Sequence, residues 1–267
     1  MRIANILRKV LRRLVPNNSV EKALGVDICE SGVMQNAIEL WHNMYKNEPP
    51  WRGGKDNVIP LNLPSAISEE FARLILTEFS MKVTGSPMAD FINEQLKDQL
   101  TDLNKFVEMY CEGGAIAVKP FVTNIDENGK PTAIELDFVK AVDFFPCAFN
   151  NKGEITAAVF VEGKKIGDYL YTRLEYHELT GMTYTIINKA FKSEEIYQYN
   201  DDGTYAVRDR FRKEVPLSEV YEWAGLSEEP VIIGNIDKPL FAYIKVPKAK
   251  IRKSTRLNSS HIPLSRM

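Results

Sequence analysis

Glu175 and His177 stand two residues apart within Tyr171-Thr-Arg-Leu-Glu-Tyr-His177. On a strand that spacing places both side chains on one face, and an acid beside an imidazole is the smallest pair able to move a proton. A hydrolase would add an activated nucleophile, yet no Ser or Cys sits in a Gly-x-Ser-x-Gly elbow. The pair therefore reads as neighbours, with Arg173, on a wet strand face, with Leu170, Thr172, Leu174 and Tyr176 on the opposite face. His42 follows Trp41 on a helix and His261 lies near the end of the chain, so the three histidines lack metal-site spacing.

Other chemistry-bearing patterns have simpler readings. Asp126-Glu-Asn-Gly129 and Asp201-Asp-Gly203 lack the alternating ligands and closing Glu of a calcium loop, and fit hairpin turns. Gly53-Gly54 and Gly113-Gly114 are not followed by Gly-Lys-Ser/Thr, nor do they open a dinucleotide fingerprint. Gly113-Gly114 reads as a helix stop. Glu69-Glu70 and Glu228-Glu229 mark solvated surface. Cys29, Cys111 and Cys147 are odd in number and far apart in sequence, which predicts a reducing compartment and thiols buried as small apolar groups. The residues predict no catalytic centre, no cofactor and no metal site.

The elements that would carry these residues change character along the chain. With 267 residues, 44% hydrophobic and 26% charged, the composition is that of a soluble globular chain of one large or two small domains. No apolar run approaches the roughly 20 residues that span a bilayer. A net charge of -2 argues against free nucleic-acid binding, although a ring-forming protein can confine DNA-facing charge to a small patch.

Residues 31–114 read as helical. Val33, Ala37, Leu40, Trp41, Met44 and Tyr45 recur at helical period after the N-cap Ser31, up to Asn47. The stretch Glu48-Pro-Pro-Trp51-Arg-Gly-Gly54 breaks the pattern. A second helix starts near Pro64 with the stripe Ile67, Phe71, Leu74, Ile75 and Phe79. A third, opened by Ser86-Pro87, is expected to run unbroken to Glu112, about 39 Å.

Residues 115–250 read as β-rich. Strands are expected over Ala115–Val122, Thr132–Val139, Glu154–Glu162, Tyr169–Leu179, Tyr184–Phe191, Pro230–Gly234 and Leu240–Val246. A hairpin is expected over Tyr197–Arg208, and a short helix over Leu217–Ala224. The predicted class is α+β: N-terminal helices followed by a mainly antiparallel β-sheet.

Both ends stand apart. Residues 1–30 comprise a basic amphipathic helix and a linker. Ile3, Ile6, Leu7, Val10, Leu11 and Leu14 alternate with Arg2, Arg8, Lys9, Arg12 and Arg13. Such a helix suits docking on a neighbouring subunit or its own domain, or attachment to a membrane surface. Residues 251–267 read as an artefact. Arg252 to His261, RKSTRLNSSH, matches one reading frame of a common sequencing adapter, so the natural gene is expected to continue past about Lys250. Without Arg252, Lys253, Arg256 and Arg266, the 34 basic residues become 30 against 36 acidic ones, a net of about -6.

Nine stretches together resemble the portal proteins of long-tailed phages and related prophages of Gram-positive hosts. They are the Trp41–Tyr45 helix leading to Pro49-Pro-Trp51; Leu61-Asn-Leu-Pro64 with Ser68-Glu-Glu-Phe-Ala-Arg-Leu74; and Phe91-Ile-Asn-Glu-Gln-Leu96. Gly113-Gly-Ala-Ile-Ala-Val-Lys-Pro120, Asp143-Phe-Phe-Pro146, Gly153-Glu-Ile-Thr156 and Tyr171–His177 continue the order, followed by Val215-Pro-Leu-Ser-Glu-Val220 and Pro239-Leu-Phe-Ala-Tyr243. Singly each is weak; their order over Leu40 to Lys248 carries the resemblance.

The resemblance implies a structural, non-enzymatic subunit of a ring, usually of twelve copies, at one capsid vertex of the virion, assembled in the host cytoplasm. Double-stranded DNA would pass through the channel of the full-length ring. The packaging terminase, capsid and tail-adaptor proteins would be its partners. Residues 31–250 would correspond to the portal wing and the start of the clip. Function of that kind needs rigid packing and subunit surfaces, so Trp41, Tyr45, Trp51, Phe71, Phe144 and Phe145 are the expected core or interface anchors. A phage hydrolase and a membrane-surface binding module are the alternatives.

Overall fold

The computed structural model of the chain describes residues 19–52, 59–127, 131–194, 197–199, 205–207 and 213–246. The basic helix of residues 1–15, Gly53-Gly54, Asp201-Asp-Gly203 and the adapter-like end fall outside them. The chain is α+β, helices first and antiparallel sheets after.

The helices are α1 (Ser19–Leu24), α2 (Gly32–Tyr45), α3 (Leu63–Leu76), α4 (Ala89–Thr101) and α5 (Leu103–Gly113). The Ser31 hydroxyl accepts from the Met34 N–H at 3.3 Å and caps α2. Pro64, lacking an N–H, sits in the first turn of α3. The single helix expected from Pro87 to Glu112 is instead two, because the backbone leaves helical geometry at Asp102 (φ -93°, ψ 9°). Each half follows a different surface. α4 lies along β2 (Pro131–Lys140), whereas α5 packs against α2, α3 and β1 (Ala115–Ile125). One straight rod cannot track both.

The stop between α5 and β1 needs glycine twice, for different reasons. Gly114 has φ +68°, the left-handed conformation that ends the helix. A Cβ on Gly113 would lie 2.9 Å from the Cβ of Ala141, so the chain there must be bare to pass.

Among the described residues the strands form three sheets. The first has the order β11-β1-β2, with β11 spanning Ala242–Lys245. The second contains β3 (Phe144–Phe149), β4 (Ile155–Ile166), β5 (Tyr169–Thr180), β6 (Thr183–Glu194), β9 (Lys213–Val215) and β10 (Val231–Gly234). Its path is β10-β6-β5-β4-β3, with β9 also on β6. The predicted Tyr197–Arg208 hairpin is the ribbon of β7 (Tyr197–Tyr199) and β8 (Tyr205–Val207).

Two elements depart from the sequence reading. β3 contains Pro146, which argues against a strand. The proline is accommodated because β3 is the outer strand and its register with β4 shifts just after Pro146. The helix expected over Leu217–Ala224 is two 3-10 turns, Leu217–Glu219 and Tyr221–Trp223. They bury Leu217, Val220 and Trp223 against Tyr171, Ala190 and Val215.

The core has two layers. Ala117 of β1 meets Phe144, Ala158 and Phe160 of the second sheet, with Phe241 and Tyr243 beside them. On the opposite face of that sheet, Val20 and Ile28 cover Val159, Leu174 and Phe191. β5, the middle strand of the path, is thus covered on both faces. The outer edge of β2 is sealed by side chains rather than by a strand. Gln95 Oε1 accepts from the Ile134 N–H at 3.1 Å, Gln99 Oε1 accepts from the Leu136 N–H at 2.9 Å, and Gln99 Nε2 donates to the Ile134 carbonyl at 3.4 Å. Glutamines four residues apart on α4 meet alternate residues of β2 and occupy edge groups that would otherwise template another chain.

Candidate functional site

The face of β5 read as wet is covered, which corrects the sequence reading. Register places Glu175 opposite Phe160 on β4 and Asn188 on β6, with His177 opposite Ala158 and Ile186. The first sheet packs over this row. Lys119 of β1 reaches across to the Glu175 carboxylate and also lies 3.5 Å from Asp137. Arg173 stands 3.2 Å from Glu175 and donates to Glu162 through Nε at 3.1 Å and Nη2 at 2.7 Å. The polar alternation of β5 is real, but it faces an ion-paired interior seam.

His177 is 3% exposed and both of its ring nitrogens are engaged. Nε2 lies 2.8 Å from Glu175 and Nδ1 2.7 Å from the Tyr184 hydroxyl. Burial alone would raise the Glu175 carboxyl, but the hydrogen bond from His177 and the charges of Lys119 and Arg173 together hold it well below the usual carboxylate range. The ionised Glu175 oxygen is an acceptor for an Nε2–H, and in that tautomer Nδ1 is the acceptor for the Tyr184 hydroxyl. Burial, reinforced by the Glu175 charge, pushes the Tyr184 phenol upward and keeps it protonated. Phe160, Tyr184 and Phe241 pack edge-on to the imidazole at centroid distances of 5.0, 5.6 and 6.1 Å. A substrate would have to displace one of these rings. The arrangement ties the two sheets together, with the imidazole buried among these rings.

A second polar seam joins helices to sheet. Glu112 of α5, its side chain 3% exposed, takes His42 of α2 on one oxygen and the ammonium of Lys140 at 2.8 Å on the other. Burial works against the Glu112 carboxylate, and these two partners still hold it below its usual range. The Tyr45 hydroxyl donates to Glu108, and burial together with that carboxylate pushes its phenol up to about 12. The sequence reading assigned Lys119, Tyr184 and Gln99 no role beyond their places in strands and helix. A lysine inside the apolar run Ala115-Ile-Ala-Val-Lys119 was the one available sign, since such a charge needs a buried partner.

The six aromatic candidates separate into groups. Phe144 is in the core, stacked on Tyr243 at 4.8 Å, and Phe145 packs at the margin of the layer under α1. Tyr45 anchors the helical seam. Trp41, Trp51 and Phe71 are exposed. The cysteine reading also needs correction. Cys29 is exposed, although Cys111 and Cys147 are partly covered, and no disulfide joins them. The Cys29 backbone lies along the open side of β3, with its N–H on the Pro146 carbonyl and its thiol on the Cys147 carbonyl, each at 2.8 Å, so the side chain stays at the surface. Burial pushes the Cys147 thiol up to about 12, which disfavours the thiolate at neutral pH.

Several large apolar side chains of α2 and α3 are turned outward. On α3 the buried residues are the small ones, Ser68 and Ala72, and Ile67, Phe71, Leu74 and Ile75 are each more than half exposed. On α2, Ile38 is buried while Val33, Leu40 and Trp41 face outward. A shallow depression lined by Leu74, Ile75, Phe79 and Ser80 continues the α3 surface. This surface, not the histidine, is the candidate site.

Among the described residues no three His, Cys, Asp or Glu side chains are grouped to hold a metal ion, and no helix is long and apolar enough to cross a membrane. No family model and no curated protein matches the chain.

Proposed function

We propose that the chain is part of a structural subunit of a phage portal, the ring at a capsid vertex through which DNA is packaged and ejected. One observation carries the reading: α3 packs inward through the small residues Ser68 and Ala72 and presents its large apolar stripe to the outside, as a component of an assembly does. The nine ordered stretches that resemble portal proteins supply the particular assembly. The two ion-paired seams support it from the other side, because they tie helices to sheet and sheet to sheet through buried side chains. On this reading the chain has no reaction centre of its own. Its partners are further copies of itself, the packaging motor, the capsid and tail adaptors, and its place is the virion.

Electron micrographs of the product of an intact copy of the gene test the reading. Closed rings are the expected result, and monodisperse monomers under all conditions would refute it. The nucleotide sequence following the codon of Lys248 supplies an independent check: coding sequence similar to portal genes is expected there in an intact copy.

A further inference from the structure

We propose that the outward stripe of α3 is the docking face for a second copy of this chain, which meets it with the outward face of α2. The inference rests on the assembly reading above and names its contact surface.

Leu63, Ile67, Phe71, Leu74 and Ile75 follow one another at helical spacing along one face of α3, Phe79 just beyond its end shares a depression with Leu74 and Ile75, and each of the six is about half exposed or more. The preceding residues Ile59 and Leu61 are more than four-fifths exposed. A half-exposed side chain of this size leaves roughly 100 Å² open, so the set offers about 800 Å². That exceeds the largest apolar patch of an ordinary monomer, about 300 to 600 Å². It equals what one partner contributes to a standard-size interface, about 800 Å².

The chain itself carries a counterpart. Val33, Leu40 and Trp41 form a second unpartnered apolar face on a different helix, and Trp is the side chain most enriched among interface anchors. Two different faces on one chain define a head-to-tail contact, and repetition of such a contact by rotation closes a ring. Within the single chain α2 and α3 are held instead by Ile38, Ser68, Ala72 and the Glu112 seam.

The test places a photo-crosslinking benzoylphenylalanine at position 71 of the full chain, with sedimentation velocity across a range of concentrations. Concentration-dependent association is expected, with crosslinks to the α2 peptide containing Trp41 of a second copy. Crosslinks to residues 1–18, crosslinks between two copies of position 71, or a chain that stays monomeric and uncrosslinked would each overturn the proposal. Phe71→Asp with Ile75→Asp is expected to weaken association at least about 30-fold, with circular dichroism and melting unchanged; unaltered association overturns it. The same pair in the intact gene product separates the two ideas. Rings that survive the substitutions sink the docking face and leave the portal reading standing; absence of rings in the unsubstituted protein sinks that reading itself.

Discussion

The ammonium of Lys119 on β1 is bonded to the carboxylate of Glu175 on β5, so one ion pair spans the two packed sheets. Both side chains are largely out of water, and each has further partners: Asp137 for the lysine, Arg173 and His177 for the glutamate. Removing one member of such a group strands the others, which is costlier than removing the group as a whole.

Lys119→Met and Glu175→Gln are therefore each expected to destabilise the fold by about 3 kcal/mol in urea denaturation. The double substitution should cost clearly less than the two single effects added together. Additive losses would mean that the residues act independently.

Acid should loosen the molecule through the same groups. Glu175 and Glu112 are both held below their usual value of 4.5 by their partners. The unfolded chain takes up protons first as the pH falls, so this contribution is fully present above about pH 4.5 and lost progressively below it. Melting temperatures measured from pH 7 to pH 3 should decline at the acid end, and Glu175→Gln should flatten that decline. An unchanged slope in the variant would remove Glu175 from the explanation.

The two glycines between α5 and β1 make different demands. Gly114→Ala forces a Cβ into a left-handed conformation and should cost about 1 to 2 kcal/mol. Gly113→Ala meets the Ala141 side chain and should cost about 1 to 3 kcal/mol. Combining Gly113→Ala with Ala141→Gly should recover part of the second loss and none of the first, as read by denaturant midpoints.

The glutamine seal on β2 can be opened without touching the core. Gln99→Leu removes the acceptor of the Leu136 N–H and the donor to the Ile134 carbonyl, at a cost of about 1 to 2 kcal/mol. Hydrogen exchange at Leu136 should accelerate while exchange in β5 stays slow. Equal protection in the variant would show that the edge is guarded by something else.

Much of the fold was legible along the chain. Periodicity located α2 and α3 and the long strands β4, β5 and β6, because hydrophobic repeats of 3.6 and 2 reflect local backbone geometry. Ser31, Pro64 and Gly114 acted as punctuation for the same reason. β3 escaped because Pro146 contradicts a central strand, and only the strand's place at the sheet edge makes the proline harmless. The break at Asp102 escaped because the apolar stripe runs on through it.

What the sequence by itself determined is which residues share a face: Glu175 with His177, Ile67 with Phe71 and Leu74. What lies opposite a face was decided by tertiary structure alone. The polar face of β5 became interior when β1 brought Lys119 to it from 56 residues away. The apolar face of α3 became exterior because the helix packs through Ser68 and Ala72. A repeat records the geometry of its own segment, whereas burial depends on a surface supplied from elsewhere in the chain, or from another chain.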